Sequence, residues 1–81
     1  MLKCMIVDDE PLALDLIQEY ISHIPYLDLK VRCRNALEAS KLIQEQPIDL
    51  IFLDILMPEM TGLQFIQSLP NKPMVILITA Y

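Results

Sequence analysis

The run Leu50-Ile51-Phe52-Leu53, closed by Asp54, constrains this chain more than any other stretch. Its four apolar residues are too few for a helix. Between Pro47 and Pro58 they read as a short strand buried on both faces. Met57-Pro58 then forces an extended dipeptide, and Gly62 supplies the latitude for a turn. In open parallel sheets, ligands bind in the crevice beyond the carboxyl ends of the strands, so Asp54 has a functional reading there. Its structural alternative is a helix cap or a loop acid.

Leu2-Lys3-Cys4-Met5-Ile6-Val7 repeats the pattern and ends in Asp8-Asp9-Glu10. Two such strands at one edge of a parallel sheet crowd their carboxylates, which repel at reduced dielectric unless a cation intervenes. A hard divalent ion such as Mg2+ is the ordinary answer. It takes one or two carboxylates and completes its octahedron with waters and a phosphate. One acid is then free for nucleophilic work.

The rest of the chain alternates helix and strand. After Asp8-Asp9 a helix is expected, with Asp9 as its cap and Pro11 in its first turn. Leu14, Ile17, Ile21 and Ile24 recur at helical spacing; Asp15, Gln18, Glu19 and Ser22 take the other face, and Pro25 ends it. Leu27 to Cys33 reads as a half-exposed edge strand, with Leu29, Val31 and Cys33 alternating with Lys30 and Arg32. Asn35 can cap a second helix over Ala36 to Glu45, its inner stripe being Ala36, Ala39, Leu42 and Ile43. A third helix is expected from about Thr61 to Leu69, with Leu63, Ile66 and Leu69 inward. After a Pro70-Asn71-Lys72-Pro73 turn, Met74 to Ile78 reads as a strand with apolar side chains on both faces. This βαβαβαβ pattern means an α/β fold: a parallel sheet with right-handed crossovers and helices on both faces.

Composition narrows the function. Eighty-one residues make at most one small domain. A net charge of −5 argues against direct nucleic-acid binding, which needs clustered Lys and Arg. Lys30, Arg32 and Arg34 form the one local basic group, read as a solvated strand edge. No segment approaches a membrane span or a signal peptide, so no membrane partner and a cytoplasmic location are expected. Cys4 and Cys33 match no metal spacing and read as small buried hydrophobes. His23 reads as a surface residue near the end of the first helix.

Three motifs, each ending an apolar run, carry a resemblance: Val7-Asp8-Asp9-Glu10-Pro11, Leu53-Asp54-Ile55-Leu56-Met57-Pro58 with Thr61-Gly62, and Leu77-Ile78-Thr79-Ala80. Together, in that order, they closely resemble the receiver domain of bacterial two-component response regulators. The Asp-Asp-Glu-Pro start and Thr-Ala-Tyr end look most like receivers attached to LytTR-type DNA-binding domains. The resemblance implies a flavodoxin-like sheet of strand order 2-1-3-4. It also implies that residues 1–81 are the N-terminal part of a receiver, with the fifth strand, its phosphoryl-pairing Lys and aromatic switch residue, and two helices lying beyond. In the chemistry it implies, a sensor histidine kinase passes a phosphoryl group to Asp54, and an output domain, DNA-binding in this class, responds. Asp8, Asp9, Asp54 and the Leu56 carbonyl would hold Mg2+. Thr79 would hydrogen-bond the phosphoryl group and carry the switch, and the small Ala80 would leave it room. Such a domain modifies only its own Asp54 and is not an enzyme.

From the residues alone, Thr79 also reads as a strand-end hydroxyl satisfying backbone. A dehalogenase-type phosphatase would need a second Asp where Leu56 stands, and a nucleotide-binding domain would need a glycine-rich loop, whereas Gly62 is the one glycine. The remaining alternative is a receiver fragment without phosphotransfer, acting only in interaction or oligomerisation. Met74 to Ile78 would then offer an exposed apolar edge for self-association.

Overall fold

The computed structural model describes residues 1–55, 62–69 and 73–78. Strand β1 (Leu2–Val7) leads into helix α1 (Pro11–Ser22), then β2 (Leu27–Cys33), α2 (Ala36–Glu45), β3 (Leu50–Asp54), α3 (Gly62–Ser68) and β4 (Met74–Ile78). The strands form one parallel sheet in the order β2-β1-β3-β4, the expected flavodoxin-like arrangement.

The pleat sorts the central strands onto two cores. Met5, Val7, Ile51 and Leu53 face one side, where Ala36 and Ala39 of α2 and Phe65 of α3 cover them. Cys4, Ile6 and Leu50 face the other, packed against Leu14, Ile17 and Ile21 of α1. From Cys4 to Val7 and from Leu50 to Leu53 the two strands are covered on both faces, which is why those stretches read as apolar runs.

α2 begins where the sequence puts it: the Asn35 side chain accepts the Glu38 N–H at 2.8 Å. α1 starts differently from the expected Asp9 cap. Its N-cap is Glu10, which makes no side-chain capping bond. The residue before a proline is pushed out of the helical region, so Pro11 holds Glu10 extended and the helix opens one residue later. α1 also stops at Ser22; Ile24 lies beyond it but still packs on the same core. His23 is on the surface, 3.2 Å from Glu19.

One further expectation is corrected. Among the described residues of α3 Phe65 is fully buried, Ile66 packs on the same core, and Leu69 just after the helix is buried with them. Phe65 was not among the predicted inward residues, and the Leu63 side chain lies outside the described residues. β4 is the exposed apolar edge that was expected: Met74, Ile76 and Leu77 are 56%, 47% and 52% exposed, because it pairs with β3 alone among the described residues.

β2 also departs from simple alternation. Its register against β1 slips between Cys4, opposite Leu29, and Met5, opposite Val31, leaving Lys30 as the extra residue of a β-bulge. The slip turns Leu27 and Leu29 toward α1 but Val31 and Cys33 toward α2. It also delivers Arg32 to α1, where its guanidinium donates to Gln18 at 2.7 Å and to Asp15 at 2.9 Å. The basic group is thus not uniformly solvated, since Arg32 is held against a helix and Lys30 pairs with Asp28 at 2.9 Å. Both cysteines are free and buried. Burial, with a smaller push from Glu38, raises the Cys33 thiol to about 12, so it is a packing group.

Candidate functional site

The carboxyl edge of the sheet gathers the acids. β1 and β3 are neighbours with Val7 opposite Leu53, so the residues that follow, Asp8 and Asp54, arrive side by side. Asp9 comes with them, and one carboxylate oxygen from each of Asp8, Asp9 and Asp54 lies within 4.8 Å of the others. Asp8 and Asp54 are buried, at 5% and 9% exposure, while Asp9 is open to solvent.

Asp8 is fixed from two directions. Its N–H donates to the Cys33 carbonyl at 3.0 Å, tying it to β2. Its Oδ1 accepts the Glu10 N–H at 2.9 Å, so Glu10 supports the cluster through its backbone. The Cys33 carbonyl was not singled out from sequence, whereas a supporting role for Glu10 at the helix start and acid cluster was expected. Burial pushes the Asp8 carboxyl above the ordinary carboxylate range. The Glu10 N–H opposes that push, while the Asp54 and Asp9 charges and a hydrogen bond with the Asp54 side chain add to it.

The donor set suits a hard divalent cation. Ligand oxygens at about 2.0–2.1 Å from Mg2+ stand roughly 3 Å apart when adjacent and about 4.2 Å when opposite. Oxygens within 4.8 Å therefore need only small side-chain adjustments, or a bridging water, to share one ion. The other expected residues, Leu56, Thr79 and Ala80, lie outside the described residues. The neighbouring backbone is described: the Ile55 N–H donates to the Ile78 carbonyl at 3.2 Å, which brings the end of β4 to the same edge.

The sequence profile of the response regulator receiver domain matches residues 4–81. The chain belongs to that family. It is a receiver, a signalling domain. Its sequence is 37% identical over 83 aligned residues to an uncharacterized response regulatory protein of Yersinia pestis. It is 32% identical, over the same length, to the transcriptional regulatory protein BtsR of Escherichia coli K12. In both cases the alignment covers 100% of this chain and 35% of the relative, so this receiver spans about a third of their length. The fold matches the MaeR response regulator bound to beryllium trifluoride with a TM-score of 0.90 and 30% identity, covering 100% of this chain and 69% of that one. It matches the response regulatory domain of mrkE from Klebsiella pneumoniae with a TM-score of 0.84 and 30% identity, covering 98% and 67%. Among the described residues no helix is long and apolar enough to cross a membrane.

Proposed function

We propose that this receiver takes a phosphoryl group from the phosphohistidine of a sensor histidine kinase onto Asp54. One observation carries the reading: Asp54 ends the central strand β3, buried, with Asp8 and Asp9 close enough to share a cation. A carboxylate oxygen of Asp54 forms the new bond to phosphorus as the bond to the donor histidine breaks. Phosphoryl transfer passes through a loose, highly charged transition state, so the protein contributes positioning and charge neutralisation. Mg2+ supplies that neutralisation when bound. Asp9 would hold it directly, Asp8 largely through water, with Asp54 and the Leu56 carbonyl completing the protein ligands. Thr79 is assigned the phosphoryl hydrogen bond and the switch, and Ala80 the space beside it.

The chain reads as the N-terminal part, residues 1–81, of a cytoplasmic regulator's receiver. The output domain is proposed to be DNA-binding, of LytTR type. The motifs at each end of the chain, the relatives' greater length and the printed description of BtsR support this. The direct test is labelling by acetyl phosphate in Mg2+. The wild type should acquire one phosphoryl group and Asp54→Asn none. Equal labelling of the two would remove Asp54 as the acceptor.

The interaction-module reading has an observation of its own in the half-exposed Met74, Ile76 and Leu77 of β4. Burial of apolar surface is worth about 25 cal/mol per Å2, so covering this strand favours pairing of two copies. Sedimentation at micromolar concentration should show a dimer that Ile76→Lys weakens by tenfold or so, the scale of about 1.4 kcal/mol. A strictly monomeric wild type would count against it.

A further inference from the structure

Among the described cations, one stands at the acidic edge. Lys3 lies near the start of β1, at the far end of the sheet, and Lys41 in the middle of α2. Lys30 and Arg32 are already paired. Arg34 directly follows β2, is exposed, and its side chain makes none of the hydrogen bonds or ion pairs of the described residues. Val7 stands opposite Cys33, and the Asp8 N–H reaches the Cys33 carbonyl at 3.0 Å. One residue further along each strand come Asp8 and Arg34. The fold therefore sets the Arg34 backbone beside Asp8, with the end of β3 and Asp54 one strand further on, and leaves its side chain uncommitted.

An anionic phosphoryl donor meets an unfavourable field here, in a chain of net charge −5 whose Asp8, Asp9 and Asp54 converge on the point of attack. We propose that Arg34 is a positioning residue that draws the anionic donor to the Asp54 edge, acting on the phosphate oxygens and not as a ligand to the metal. A guanidinium presents a planar fork of donors that matches phosphate oxygens bidentately. Asp54 ends β3, two strand spacings of about 4.8 Å from β2. An exposed charge on a long side chain acts over about a Debye length, some 8 Å at physiological salt, so it reaches that far but not beyond this edge. The same charge must weaken divalent binding at Asp8 and Asp9 until the anion arrives.

This inference rests on Asp54 being the phosphoacceptor, and two readouts separate the two ideas. Initial rates of labelling are followed across acetyl phosphate concentrations, at low and at physiological salt. Arg34→Gln should raise the half-saturating donor concentration about threefold at low salt, leave the maximal rate unchanged and flatten the salt dependence. Arg34→Lys should restore most of the loss. Superimposable curves for wild type and Arg34→Gln overturn the proposal. Independently, Mg2+ affinity read from thermal stabilisation without donor should rise about twofold in Arg34→Gln, by the same screened Coulomb argument. An unchanged affinity also overturns it, and this arm decides even if the wild type labels no better than Asp54→Asn, the result that would defeat the acceptor reading instead.

Discussion

Millimolar Mg2+ should raise the melting temperature of the wild type by some 10–20 °C and that of Asp9→Ala hardly at all. A ligand that binds only the folded state stabilises it by RT ln(1 + [L]/Kd), about 2.7 kcal/mol at 100-fold excess over Kd. For a domain of this size each kcal/mol is worth roughly 4–8 °C. Asp9 is the informative position because its side chain is exposed, so its loss removes a ligand and little packing. The physical origin of the effect is like-charge repulsion. A pair of carboxylate oxygens at the 4.8 Å limit of this cluster costs roughly 3 kcal/mol at an effective dielectric near 20.

The same cluster sets the sign of the pH dependence. The Asp8 carboxyl titrates above its ordinary 3.8 in the folded chain, mainly because it is buried. Between the unfolded and folded values the native state binds more protons, so without Mg2+ stability falls as pH rises through that window and then levels off. Bound Mg2+ favours the ionised carboxylates and reverses the trend. A grid of melting curves in pH and Mg2+ checks both; a melting temperature indifferent to Mg2+ would contradict the site.

Phe65→Ala should cost about 3–5 kcal/mol, a large share of the roughly 5–15 kcal/mol that holds small domains folded. Phe65 is the largest fully buried side chain and the anchor of α3 against Met5, Val7, Ile51 and Leu53. Urea denaturation should give a midpoint lowered severely or lost altogether, with Leu37→Ala, at an exposed position, close to wild type. A small loss at Phe65 would mean that α3 contributes little to the core.

Much of this was legible in the residues because the sheet is buried on both faces. β1 and β3 announce themselves by the apolar runs Cys4–Val7 and Leu50–Leu53, and each leads into acid at the edge where parallel strands place their chemistry. The convergence of Asp8, Asp9 and Asp54 followed from that placement. α3 was harder: the expected inward set of Leu63, Ile66 and Leu69 includes two residues that do pack on the core, Ile66 and Leu69, but omits Phe65. The angle at which a short helix meets the sheet decides which neighbouring position turns fully inward. The Lys30 bulge left no trace, because Leu29, Val31 and Cys33 alternate correctly for a single face. Only pairing with β1 shows that the strand changes sides midway. The Glu10 cap was missed because the usual rule favours Asp9, whereas Pro11 dictates where the helix can begin. Leu56, Thr79 and Ala80 rest on motif resemblance alone, outside the described residues.

The bulge at Lys30 has a consequence for how copies of this chain can add to one another. An irregular strand carrying Lys30 and Arg32 is a poor template for a further strand, so the β2 side of the sheet is closed to growth. β4, on the opposite side, has no such guard among the described residues. A unit with two adhesive margins propagates into an open filament, whereas a unit with one can only meet its twin across a twofold axis and stop. In the paired form proposed above, the two copies of β4 would therefore meet across a twofold axis and the pair would not extend.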